Sequence, residues 1–143
     1  MRIGIIGSMR FTEQMVATRD ELQSLGHDPF LTEFHAPFLG KSAAEKESIK
    51  AEQREDGKSG AGKDSIREFW DLMQGADAVL VMNLDKNGVK NYIGANTLLE
   101  MGFAHALKQK IFLLNPIPNQ PYCREEIEAM QPIVIDGDPQ KIA

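Results

Sequence analysis

The sequence holds a single cysteine, Cys123, so it has no internal disulfide framework and fits a reducing compartment. It has no basic block either. Sixteen Lys and Arg stand against 21 Asp and Glu, a formal charge of -5, which disfavours a nucleic-acid backbone or an anionic membrane as partner. No apolar run approaches the length of a membrane span. The opening Met1-Arg2-Ile3-Gly4-Ile5-Ile6 is too short for the apolar region of a signal peptide and has strand character, so a cytoplasmic location is expected. His27, His35 and His105 are scattered and lack ligand spacing, and neither a metal nor a cofactor is expected. Gly-x-Ser-x-Gly is absent, which removes the usual nucleophile turn of a Ser-His-Asp hydrolase. Cys123 adjoins Arg124 but has no histidine near it in sequence, and reads as an inert thiol.

What remains is the composition of a soluble globular chain: 143 residues, 42% hydrophobic and 26% charged, suited to a single domain over 1–143 with a polar insert around 41–64. The isoleucine-rich run Arg2 to Ile6 reads as a buried strand. A helix follows from about Glu13 to Leu25, capped by Thr12 and ended by Gly26. His27 to Phe34 reads as a second strand, placed at a sheet edge by Pro29. His35 to Gly40 is an apolar loop that should pack on something, a ligand or a partner chain included. Ala43 to Arg54 suits a solvated helix. Ser65 can cap a helix to Gln74 that buries Ile66, Phe69, Trp70 and Met73. The unbroken apolar stretch Ala76 to Leu84 predicts a central strand. Lys110 to Leu114 and Pro132 to Ile135 complete five strands, with a short helix from Arg124 to Met130 between them. The alternation predicts a three-layer α/β/α sandwich with a five-stranded parallel sheet.

Three stretches bear on chemistry. Gly94 to Phe103 joins the central strand's exit loop to a helix predicted over Leu98 to Lys108, and a helix N-terminus at that end of a sheet suits an anion. Gly94, Asn96 and Thr97 are binding candidates there. With Leu99, Phe103, Ala106 and Leu107 as the apolar stripe, Glu100 falls at its edge. There it either faces a cleft or closes a capping box with Thr97 as N-cap. Gly7-Ser8-Met9-Arg10 leaves a strand and opens a helix. Its amides, a hydroxyl and a guanidinium can hold an anion or a sugar hydroxyl, or it is a plain turn. Asn83 and Asp85 end the central strand. Asp85 can bind a sugar hydroxyl, help orient Glu100, or form an Asx turn with Asn87-Gly88. Gly57 to Asp64 approaches a P-loop but has Asp64 where Ser or Thr should hold Mg²⁺, and it leaves a polar run instead of a buried strand.

Three blocks together carry a family likeness: Ile6-Gly7-Ser8-Met9-Arg10, Leu72-Met-Gln-Gly-Ala-Asp77-Ala-Val-Leu-Val81, and Glu100-Met-Gly-Phe-Ala-His-Ala-Leu-Lys-Gln-Lys-Ile-Phe-Leu-Leu114. In them the chain resembles the nucleoside 2-deoxyribosyltransferases and the related deoxynucleoside 5'-monophosphate N-glycosidases. The resemblance implies a flavodoxin-like fold, a nucleoside or nucleotide substrate, and a homo-oligomer whose sites are completed by neighbouring subunits. Glu100 would be the nucleophile that attacks C1' of the sugar and displaces the base, and Gly7, Ser8 and Arg10 would match the nucleotide-binding loop. The chain departs from the family pattern at one place that matters. The aspartate expected on the helix before the central strand falls on Phe69, and none of Asp64, Asp71 and Asp85 aligns with it. A binding or sensing module on the same fold is the alternative.

Overall fold

Five short parallel strands order as β2-β1-β3-β4-β5, the arrangement of flavodoxin-like proteins. They are β1 (Arg2–Ile6), β2 (Asp28–Phe30), β3 (Ala78–Val81), β4 (Lys110–Leu113) and β5 (Ile133–Val134). The computed structural model describes residues 1–55 and 64–143. The near-match to a P-loop, Gly57 to Lys63, therefore lies outside the described residues. No helix among the described residues is long and apolar enough to cross a membrane.

Strand periodicity divides the core between two faces. Ile6, Val79, Val81, Ile111 and Leu113 pack against Phe69, Met73, Met101, Ala104 and Ile127, which come from α3 (Ser65–Met73), α4 (Ala95–Ala106) and α5 (Arg124–Ala129). Ile3, Ile5, Leu80 and Phe112 point the other way, onto Phe11, Met15 and Leu22 at and within α1 (Thr12–Ser24). β1 and β3 are buried along nearly their whole length, as their lack of alternation predicts. Pro29 lies in the edge strand β2, where its missing N–H costs no interior hydrogen bond.

Some boundaries differ from the expected ones. β2 is only three residues long, and Glu33–Phe38 turns into a 3₁₀ helix. His35 and Phe38 in that turn are covered by the chain's own elements, although Leu39 stays exposed. Asp64, not Ser65, caps α3, accepting from the Arg67 amide at 3.0 Å. Ser8 caps a 3₁₀ turn, Met9–Phe11, that precedes α1, while Thr12 is the first residue of α1 itself.

The polar helix α2 (Ala43–Glu55) is less solvated than its composition suggests. It packs chiefly on the two 3₁₀ turns and so lies over the loops at the carboxyl end of the sheet. Lys46 anchors it. This lysine is 4% exposed, donates to the Arg10 carbonyl at 3.1 Å and pairs with Glu13. The hydrogen bond from Lys46 holds the Glu13 carboxyl below its ordinary range.

His35 lies beside this anchor. The Thr12 hydroxyl gives its one proton to the Met9 carbonyl at 2.6 Å, which leaves His35 Nδ1, 3.2 Å away, as the donor to Thr12. Burial, with the Lys46 charge adding, holds His35 down to about 4. A depressed histidine contributes stability that is present above its unfolded value and lost as pH falls through the folded one. Between pH 6.5 and about 4 the wild type should therefore lose roughly 3 kcal/mol that a His35→Gln variant does not lose. Urea titrations of both proteins across that range measure the difference, and parallel curves would remove His35 as its source.

Candidate functional site

In the strand order 2-1-3-4-5 the connections diverge between β1 and β3, and ligands of such sheets bind beyond the strand ends at that point. Gly7 makes the approach of the two exits close. A Cβ there would stand 3.2 Å from the Met82 side chain and from its carbonyl oxygen. The loop after β1 and the loop after β3 consequently share side chains. Lys86 Nζ donates to Ser8 Oγ at 3.1 Å and lies 5.1 Å above the Tyr92 ring, and an Arg10 guanidinium N–H donates to Asn87 Oδ1 at 2.9 Å. The turn that presents Lys86 is tight. Asn87 and Gly88 have φ of 51° and 76°, the left-handed pair of a type I′ turn, and Lys86 and Val89 exchange backbone hydrogen bonds of 3.0 and 2.9 Å.

Lys86 is 9% exposed, covered by neighbouring side chains at a shallow position in the fold. Loss of hydration draws its ammonium down to about 8, with the Lys50 and Arg10 charges adding and Glu47 opposing.

A cleft of about 500 Å³ opens beside this cluster, lined by Phe11, Gln14, Leu84, Asp85, Lys90, Asn91 and Asn115. Asp85 is exposed in it and accepts from the Asn91 amide at 2.9 Å, which braces the loop from one end. Its partner is thus six residues on, not the close neighbour of an Asx turn. Asn83 does not face the cleft. It is fully buried, and its amide nitrogen donates to the carbonyls of Asn115 and Pro116 at 2.9 and 3.2 Å. Its amide oxygen accepts from the Asn115 N–H at 2.9 Å, while the Asn115 side chain donates to the Asn83 carbonyl at 3.1 Å. The Asn83 side chain fastens β3 to the exit of β4, with both its N–H groups used and no surface exposed to a nucleotide. Gln120 does a similar job further on. Almost buried, it accepts from the Ile93 amide at 2.8 Å and donates to the Ile93 carbonyl at 2.9 Å.

That last clamp sets the start of α4. The helix begins at Ala95 with Gly94 as N-cap, and no side chain caps it. Thr97 is therefore inside the helix and buried, so the capping box does not form. The apolar phase also differs from the expected stripe. Thr97, Met101 and Ala104 face the core, while Leu99 is 49% exposed and Ala106 is also exposed. Glu100, four residues before Ala104, stands at the margin of the buried face. Asn96 Nδ2 donates to its carboxylate at 3.1 Å, and no cation pairs with it among the described residues. Part of Glu100 still meets solvent, but the packed protein around its carboxyl removes much of its hydration. That desolvation pushes its pKa up to about 8, against a smaller lowering by Asn96.

The predicted residues thus fall into separate groups. Ser8 and Arg10 reach Lys86 and Asn87 across the switch point, Asp85 lines the cleft, and Asn96 and Glu100 pair on α4. Met9, like Gly7, contributes backbone there, Met9 through its bond from Thr12. Glu100 is not among the lining residues of the Asp85 cleft. Lys86, Lys50, Asn91, Asn115 and Gln120 were not singled out from the sequence. Of these only Lys86 had a local signal, its place one residue before an Asn-Gly turn. Among the described residues no three His, Cys, Asp or Glu gather as a metal site would require. Comparisons with protein families, curated proteins and solved structures found no match to this chain.

Proposed function

We propose that the chain breaks, or exchanges the base at, the N-glycosidic bond of a deoxynucleoside or nucleotide, with Glu100 as nucleophile. One observation carries this reading: a poorly hydrated carboxyl without a cationic partner among the described residues, early in the helix that leaves the central strand's exit loop. A carboxylate in such a place gains from any positive charge that develops beside it. Departure of a base from C1' generates that charge in an oxocarbenium-like transition state. In the proposed step a Glu100 oxygen bonds to C1', the C1'–N bond breaks, and the base leaves with its electron pair and takes a proton. Water or a second base then displaces the ester.

The charge state gives the reading its test. A nucleophile must be ionised, so kcat/KM for base release should climb with pH and level off above about 8, the value to which burial raises Glu100. A group acting instead as proton donor to the base would give a profile that falls above the same point. Release is followed by chromatography on a panel of deoxynucleosides and their monophosphates, with and without a second base. No free base from any of them would leave the alternative, a module that binds nucleotides without turnover. Phe69 favours that alternative, because a buried phenylalanine occupies the place where the related enzymes would carry an acid.

A further inference from the structure

One amine between the β1 and β3 exits is crowded by other cations. Lys86 Nζ donates to Ser8 Oγ at 3.1 Å and stands 5.1 Å from the centre of the Tyr92 ring. Lys50, on α2, comes within hydrogen-bonding reach of it, and Arg10, in the turn after β1, adds its charge. Glu47, also on α2, is the one carboxylate that acts on this lysine, and among the described residues it forms no ion pair with it. Glu13, the other nearby acid, is taken up by Lys46. Two amines this close, where water is scarce, favour the state in which one of them has given up its proton. At pH 7.5 an amine drawn down to about 8 holds roughly two hundred times more neutral form than an ordinary lysine. A neutral amine is a nucleophile.

The groups around that amine are donors suited to an anion. Ser8 Oγ already accepts twice, from Lys86 Nζ and from the Arg10 amide at 3.3 Å, so its own proton is free to be given. Arg10 Nε is buried with no partner among the described residues. A reaction that turned the neutral amine into an anion would use the nucleophile and answer the surplus of positive charge together. The reagent has to be small, because Lys86 is 9% exposed and does not line the Asp85 cleft.

We propose that Lys86 is a carbamylation site for carbon dioxide, with Ser8, Arg10 and Lys50 holding the carbamate. In the step, the Nζ lone pair bonds to the carbon of CO2 and one C=O electron pair moves onto oxygen. The nitrogen then gives a proton to water, so amine and CO2 become a carbamate anion and a proton. The charge at this end of the sheet thereby follows the level of dissolved CO2. Nothing in the step depends on the N-glycosidic reading.

The experiment uses the full wild-type chain equilibrated with ¹³C-labelled bicarbonate at pH 7.5. Carbamates are trapped by O-ethylation with triethyloxonium and located by peptide mass, and ¹³C NMR follows the same adduct without trapping. The label should sit on Lys86 at an occupancy at least tenfold above that of any other lysine. The α-amino group of Met1 ionises in a similar range and serves as the internal standard for an unassisted amine. Lys50→Met removes both the neighbour that disfavours the ammonium and a counter-charge for the product, and should lower the Lys86 label several-fold while leaving Met1 unchanged. Ser8→Ala should act in the same direction through loss of one donor. Melting curves of both variants confirm that they remain folded, and the wild-type labelling stands without them. No label on Lys86, or label at the level of the other lysines, would overturn the proposal. Label on Lys50 in its place would overturn the assignment of the nucleophile, and Lys86 label unaffected by either substitution would overturn the role of the surrounding groups.

Discussion

Glu100→Gln should leave the protein folded and able to bind nucleotide, yet release no base. The neutral amide resembles the protonated carboxyl that the surroundings of Glu100 favour, and its oxygen can still accept from Asn96. Stability should therefore change by less than about 0.5 kcal/mol, a typical bound for a substitution that breaks no packing. What the amide lacks is a nucleophilic oxygen anion. Turnover should fall by about three orders of magnitude or more, equivalent to some 4 kcal/mol of barrier at tenfold per 1.36 kcal/mol. Melting curves, nucleotide titration and base release on the same preparation separate these effects. The wild type supplied with a slow fluorinated deoxynucleoside should also gain the mass of the sugar, and Glu100→Gln should not. Base release that survives the substitution would remove Glu100 from the role.

Phe69→Asp should not restore a missing catalytic acid; it should unfold the domain. Phe69 is 1% exposed, tilted against the Phe30 ring at 6.4 Å, and belongs to the apolar cluster beneath α3 and α4. Truncating such a ring costs about 3–5 kcal/mol, and an unpaired carboxylate in its place adds a desolvation penalty. The total rivals the whole stability of a domain this size, roughly 5–15 kcal/mol. Denaturant titration should show a loss of at least about 4 kcal/mol, or no cooperative transition at all. A folded Phe69→Asp protein with faster base release would mean that this position borders the substrate after all. The expected outcome instead directs the search for a proton donor elsewhere, and Asp85 is an exposed acid in the cleft after β3.

The sheet was legible because its signals are local. Unbroken apolar runs mark β1, β3 and β4, and Pro29 marks an edge. Side-chain roles that depend on distant partners were not. Lys46 sits in a segment whose composition reads as solvated, and nothing nearby in sequence announces Glu13 or the Arg10 carbonyl. Asn83 looked like a cleft residue because it ends a strand, but its partners lie 32 and 33 residues on. The phase of α4 was ambiguous for another reason. The segment carries apolar residues on several sides, so Leu99 and Ala106 fit a stripe as well as Thr97 and Ala104 do. Contact with β3 and β4 decides between them. Glu100 kept its place at the margin under either phase.

The asparagine and glutamine clamps have a mechanical consequence. Four hydrogen bonds made by the side chains of Asn83 and Asn115 join the ends of β3 and β4, and Gln120 grips Ile93 by both its N–H and its C=O. The stretch that carries Lys86, Asp85 and the entrance to α4 is thereby stapled to the neighbouring connection. One jaw of the crevice is stiff. The helix α2, by contrast, rests chiefly on short turns. The two sides of the switch point should therefore differ in compliance, the entrance to α4 being the stiffer.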